Sequence, residues 1–273
     1  MVIIDEVKKV TAIMDLQHEY FPENFSAAYL KQRKEDYKYA AEHSNRLIAI
    51  SEYTKKSLQD KCGVAPEKIK VIYFAPQEIK SGPTSFSAPT EFIFYPAALW
   101  PHKNHRVLIE ALRILKDRFP SLHAVCAGTI KGENFKKDLE LIAEKEGLKD
   151  RVLFPGCLFN GDLYSLFTRA RALVFPSAFE GFGIPLVEAF QLGLPVIAAD
   201  NTSIAEVVDG AGILVKTGDA EVLAEAIERV ITNNTLRDKL IQKGRERAKM
   251  FSWEKAGKET LKVFTQLSAD NKK

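Results

Sequence analysis

The sequence predicts an α/β protein built on parallel sheet. Short apolar runs near residues 92–96, 121–127, 151–154, 172–175, 195–199 and 212–215 recur with helical patterns between them, as strands joined by right-handed crossovers do. Before them, Val10 to Met14, Leu47 to Ile50 and Lys70-Val-Ile-Tyr-Phe74 read as further buried strands, with a charged helix over Ser26–His43. Ser81-Gly-Pro-Thr-Ser-Phe-Ser-Ala-Pro-Thr90 then supplies the best linker in the chain.

These signals divide the chain into a partial α/β unit over 1–80, a linker over 81–91, a complete Rossmann-like domain over 92–250 and a terminal helix over 251–273. In Phe251-Ser-Trp-Glu254, Ser252 reads as the cap of that helix and Trp253 as a large apolar anchor, followed by Ala256, Leu261 and Phe264. Thirty-nine basic against 36 acidic residues leave a net charge of +3, too small for a nucleic-acid footprint. No run approaches the ~18 apolar residues of a membrane-spanning helix, and Met1-Val-Ile-Ile4 runs into Asp5-Glu6 rather than a signal-peptide core, so a cytoplasmic protein is expected. Cys62, Cys126 and Cys157 lack the pairing of a disulfide framework or a zinc site.

The most informative stretch is Phe175-Pro-Ser-Ala-Phe-Glu-Gly-Phe-Gly-Ile-Pro-Leu-Val-Glu-Ala-Phe190. An apolar strand stops at Pro176, a Gly-Phe-Gly turn follows, and Pro185 sits where a helix tolerates it best, in the first turn. Such a strand–loop–helix junction aims backbone N–H groups and the positive end of a helix dipole into a crevice, which suits a phosphorylated ligand. Glu180 would lie on the loop and Glu188 on the opening turns of the helix. Carboxylates beside phosphate repel it, so neutral hydroxyls of a ribose and a sugar are their natural partners.

Here the sequence resembles the retaining glycosyltransferases of family 4, which carry this pair of glutamates separated by seven residues within a GT-B fold. The resemblance extends through Gln191-Leu-Gly-Leu-Pro-Val-Ile-Ala-Ala199, Tyr95-Pro-Ala-Ala-Leu-Trp-Pro-His-Lys-Asn-His105 and Arg46-Leu-Ile-Ala-Ile-Ser-Glu-Tyr-Thr54. It implies transfer of a hexose, with mannose favoured, from a GDP- or UDP-sugar to a glycan or lipid-linked acceptor, with retention, no bound metal and no other cofactor. It also implies that the terminal helix crosses back onto the first domain.

Carried over residue by residue, Lys103 would bind the donor diphosphate, Glu180 the donor sugar and Glu188 both ribose hydroxyls. The amides of Phe182, Gly183 and Ile184 would lie near the sugar and phosphate, with Gly181 and Gly183 allowing close approach of the main chain. Phe154 is a candidate for base contact or, equally, a core phenylalanine at a strand end. Asp15 and His18 follow a buried strand on the acceptor side, where His18 either assists catalysis or merely shapes its loop. Arg33 and Tyr37 match a family spacing with a structural role, while His102 and His105 read as cap and surface residues.

Two departures stand out. The family's arginine before the lysine segment is replaced by Ala97-Ala98-Leu99, and no glycine precedes Gly63, so a glycine-rich phosphate loop is missing from the first domain. A truncated first domain leaves a sheet edge that a homodimer or a partner chain would cover, and peripheral membrane contact stays open. A non-catalytic binding module, one subunit of a split transferase, and a glycoside hydrolase using Glu180 and Glu188 are the rival readings.

Overall fold

Burial on both faces dictates the strands. In a computed structural model that describes residues 7–130 and 133–269, the continuous apolar runs all become parallel strands. Met1–Glu6, read above as lacking a signal-peptide core, lie outside the described residues. The chain divides into two compact units. Of the described residues, 7–75, 180–182 and 251–269 belong to the first, and those within 76–179 and 183–250 to the second.

In the first unit the elements are β1 (Val10–Ile13), α1 (Gln17–Tyr20), α2 (Ala27–His43), β2 (Arg46–Ala49), α3 (Glu52–Cys62) and β3 (Ile69–Val71). The strands pair in the order β1-β2-β3, with Thr11 opposite Leu47 and Ala49 opposite Val71. Ser26 caps α2, and Ser51 caps α3 by accepting from the Thr54 amide at 3.0 Å. Because side chains alternate across a strand, β2 feeds two cores: Leu47 and Ala49 pack with Leu58 of α3, while Ile48 packs with Ile72 and the terminal helix.

The second unit runs β4 (Phe92–Pro96), α4 (His105–Leu115), β5 (His123–Ala127), α5 (Glu133–Lys145), β6 (Val152–Gly156), α6 (Asn160–Arg169), β7 (Leu173–Phe175), α7 (Ile184–Leu192), β8 (Val196–Ala199), α8 (Thr202–Val208), β9 (Ile213–Val215), α9 (Ala220–Thr232) and α10 (Asn234–Ala248). Its strands order as β6-β5-β4-β7-β8-β9, all parallel. From β4 the chain therefore winds outward to β6, returns to the middle, and winds the other way to β9. The glycine- and proline-rich approach to β4 is clasped rather than loose. Asp162 in the first turn of α6 accepts from the amides of Ser85 and Phe86 and from the Ser85 hydroxyl, all at 2.7–2.8 Å.

The last helix, α11 (Trp253–Ala269), belongs to the first unit, and Ser252 caps it through the Lys255 amide at 3.2 Å. The expected apolar face is only partly correct. Ala256, Val263 and Leu267 are buried, whereas Trp253, Leu261 and Phe264 are at least half exposed. At 3.6 residues per turn, positions 256, 263 and 267 align, while 261 and 264 are rotated well away from them. The buried anchor is Phe251, packed edge-on against Tyr73, whereas Trp253 touches Phe74 from the surface.

Candidate functional site

In the second unit the winding reverses between β4 and β7, and a crevice forms at such a reversal outside the carboxyl ends of the strands. The connection after β4 carries Lys103, and the connection after β7 leads through Gly183 into α7 and Glu188. Both come from the residues singled out by sequence.

The Lys103 segment is a single 3-10 turn, Pro101–Lys103, ended by Asn104 in the left-handed region at φ 55°. Asparagine tolerates that conformation better than most residues. Hydrogen bonds from two sides fasten the turn. Fully buried Tyr95 donates from its hydroxyl to the Lys103 carbonyl at 2.7 Å. The Ala178 amide donates to the His102 carbonyl at 2.7 Å, and the Asn104 side chain to the Pro176 carbonyl at 3.0 Å. Lys103 is thus held from β4 and from the loop that follows β7, beside the positive end of α4.

His102 and His105 are not the surface residues expected. They are 6% and 1% exposed, because the turn folds flat against the Pro176–Phe179 loop and the His105 ring lies 4.8 Å from that of Tyr95. Burial and then the Lys103 charge hold both well below the usual histidine range, at about 3, so both are neutral at physiological pH. Neither ring nitrogen of His105 has a hydrogen-bond partner among the described residues. An unmade buried hydrogen bond costs about 1–3 kcal/mol, so His105→Phe is expected to raise the thermal midpoint by roughly 2–12 °C in a melting experiment. A fall would show that the imidazole is satisfied in solution.

Gly183 starts α7 at φ 95°, a backbone that favours glycine, and Pro185 occupies the first turn. Glu188 is half-buried one turn further, and burial pushes its carboxyl up from 4.5 to about 7. The positive end of a helix favours an ionised carboxylate, but Glu188 lies beyond the first turn, where the dipole fades and desolvation dominates. The shift has a sign for stability. Between about pH 4.5 and 7 the folded chain holds a proton that the unfolded chain has released, so the empty protein loses stability as pH rises through that window and is level above it. Phe154 is the middle residue of β6 rather than at the strand end expected, and it is half-buried with its ring 6.4 Å from that of His105.

Asp15, His18, Glu180, Gly181 and Phe182 group in the first unit. His18 is buried, and its Nδ1 accepts from Arg33 Nε at 3.1 Å, which leaves the proton on Nε2. Arg33 also pairs with Asp15 at 2.8 Å and donates to the Tyr37 hydroxyl at 2.9 Å. Burial, then the Arg33 charge, lowers the His18 pKa. The local network that shapes the loop is therefore present, with Arg33 at its centre. Gly181 is required by the protein itself. A Cβ there would stand 2.3 Å from the Met14 carbonyl oxygen and 2.9 Å from the Asp15 Cβ, and its own carbonyl accepts from Ser51 at 2.8 Å. Phe182 is buried against Tyr73 and Phe251.

Among the described residues no group of His, Cys, Asp and Glu could hold a metal ion, and no helix is long and apolar enough to cross a membrane.

The sequence profile of the family described as "Glycosyl transferases group 1" matches residues 77–247. The serotype-specific mannosyltransferase WbdA of Escherichia coli is 26% identical over 260 residues, covering 89% of this chain and 31% of its own. The O-antigen chain mannosyltransferase RfbU of Salmonella typhimurium is 28% identical over 219 residues, covering 80% of this chain and 59% of its own. The chain thus spans between a third and three fifths of these curated relatives. Among solved structures, Anabaena HepE in complex with UDP and glucose superposes with a TM-score of 0.80 at 24% identity, over 95% of this chain and 72% of that one. Sucrose-phosphate synthase of Thermosynechococcus elongatus gives 0.78 at 22% identity, over 96% and 68%. At these identities the two structures establish the fold, which is α/β and GT-B-like.

Proposed function

The chain belongs to the group 1 glycosyl transferases, and on that premise we propose that it is a retaining hexosyltransferase of family 4, using a nucleoside diphosphate sugar as donor and a glycan or lipid-linked acceptor. The observation that carries this reading is the placement of Lys103 and the Gly183–Glu188 segment on the two connections that leave the reversal point of the second sheet. That is where parallel α/β sheets bind nucleotides.

Each residue then has a task that its surroundings suit. The Lys103 ammonium meets the diphosphate and stabilises charge developing on the leaving group. The half-buried Glu188 accepts hydrogen bonds from two ribose hydroxyls, a pairing that returns it to the carboxylate form. Glu180 contacts the donor sugar, and Phe154 lies within reach of the base. In a front-face retaining transfer the leaving phosphate takes the acceptor proton, so no histidine base is required. That agrees with a His18 already engaged by Arg33. Mannose is the favoured sugar because relatives named as mannosyltransferases match most of this chain. UDP stays an alternative to GDP because the HepE structure holds UDP.

A raised carboxyl is also what a hydrolase acid would need. Membership of a transferase family favours transfer over hydrolysis. The test is to incubate the chain with GDP-mannose or UDP-glucose and an alkyl α-mannoside, and to read the anomeric proton of the product by NMR. An α-linked product is expected; a β-linked product, or release of free sugar without transfer, would overturn the reading.

A further inference from the structure

Asn201 precedes α8 at the position where asparagine ordinarily caps a helix, yet its side chain does not cap it. Its amide is turned the other way. Nδ2 donates to the Ser177 carbonyl at 3.0 Å and to the Thr217 hydroxyl at 2.7 Å, while Oδ1 accepts from the Thr202 hydroxyl at 2.9 Å. The orientation follows from the partners, since a carbonyl can only accept. Thr202 makes its contact from φ 42°, a left-handed conformation that a β-branched residue adopts only when its surroundings enforce it.

The receiving loop is fixed at every residue. Pro176 O takes the Asn104 amide, Ser177 O takes Asn201, the Ala178 amide bonds the His102 carbonyl, and Phe179 O takes the Ser177 hydroxyl at 3.1 Å. Ser177 is completely buried, so its carbonyl has no water to fall back on. Glu180 is the next residue along the chain.

We infer that Asn201 is a positioning residue for glycosyl transfer: it grips the Ser177 carbonyl and thereby fixes the Pro176–Phe179 loop that delivers Glu180. The catalytic part of this inference rests on the function proposed above; the mechanical part does not. Asn104 grips the same loop from the β4 side, so the loss of Asn201 loosens it without releasing it. A cap that only held α8 in place would instead affect α8 itself.

The experiment compares wild type, Asn201→Ala, Asn201→Asp, Glu180→Ala and the Asn201→Ala/Glu180→Ala double variant. Hydrogen exchange reads the loop directly. Amides 178–182 should exchange at least about tenfold faster in Asn201→Ala and Asn201→Asp, while those of α7 and α8 keep wild-type rates. Unchanged exchange at 178–182, or acceleration confined to α8, would overturn the positioning role. Single-turnover transfer should fall about 10- to 100-fold in Asn201→Ala with the Kd for free nucleotide within about threefold. In the Glu180→Ala background the same change should cost almost nothing further, because residues that act as one unit are not additive. Full additivity would show that Asn201 does not act through Glu180. Wild-type transfer by Glu180→Ala would sink the role given to Glu180, and hydrogen exchange would still judge Asn201.

Discussion

Lys103→Ala is expected to lower single-turnover transfer by about 10²- to 10³-fold, the size of effect seen when one preorganised charge-stabilising group is removed. The turn that carries the lysine is held through the carbonyls of His102 and Lys103 and the side chain of Asn104, none of which the substitution removes. Its fold should therefore survive, and the thermal midpoint should stay within about 2 °C. The loss should concentrate on the diphosphate: affinity for a nucleoside diphosphate falls steeply, while affinity for the bare nucleoside hardly changes. Equal loss for both ligands would mean that Lys103 supports the pocket rather than binding phosphate.

Gly181→Ala is expected to be nearly as damaging by a different route. The new methyl group would overlap the Met14 carbonyl and crowd Asp15, neither of which is the far end of a flexible side chain. Overpacking of this kind costs about 1–3 kcal/mol, or a thermal midpoint lower by roughly 2–12 °C. The carbonyl that accepts from Ser51 moves with it, so transfer should drop at least tenfold even where the protein is folded. Ser51→Ala should reproduce part of the activity loss without the clash. A Gly181→Ala protein with wild-type stability would show that this loop stands off from Met14 in solution.

The strands were legible because strands of parallel sheet are buried on both faces and so leave continuous apolar runs: Phe92–Pro96, Leu173–Phe175 and Val196–Ala199 lie inside the runs read from sequence. The Glu180–Glu188 junction was equally legible, since Gly183 and Pro185 are punctuation with a local physical meaning. What escaped depends on packing between distant segments. Burial of His102 and His105 arises when their turn meets a loop more than 70 residues away, as the 3.0 Å bond from Asn104 to Pro176 records. The exposed Leu261 and Phe264 were misread because apolar residues in a helix mark a face only when their phase is tracked around it. Asn201 stands where asparagine ordinarily caps a helix, and its diversion to Ser177 has no sequence signal. The raised Glu188 carboxyl likewise follows from burial that composition does not report.

In the function proposed above, Glu188 receives the hydroxyls of a nucleotide at the reversal point of the second sheet. Burial pushes its carboxyl up to about 7; hydroxyl donors favour the carboxylate and so lower that pKa on binding. Titration of GDP and UDP by calorimetry between pH 6 and 8, in buffers of different ionisation heat, therefore tests it most directly. Affinity should rise as pH increases through about 7, with protons released to the buffer at pH 6.5, and Glu188→Gln should abolish the release and weaken binding about tenfold or more, roughly 1.4 kcal/mol. Binding of either nucleotide with the same proton release in wild type and Glu188→Gln, or no binding of GDP or UDP at millimolar concentration, would contradict it.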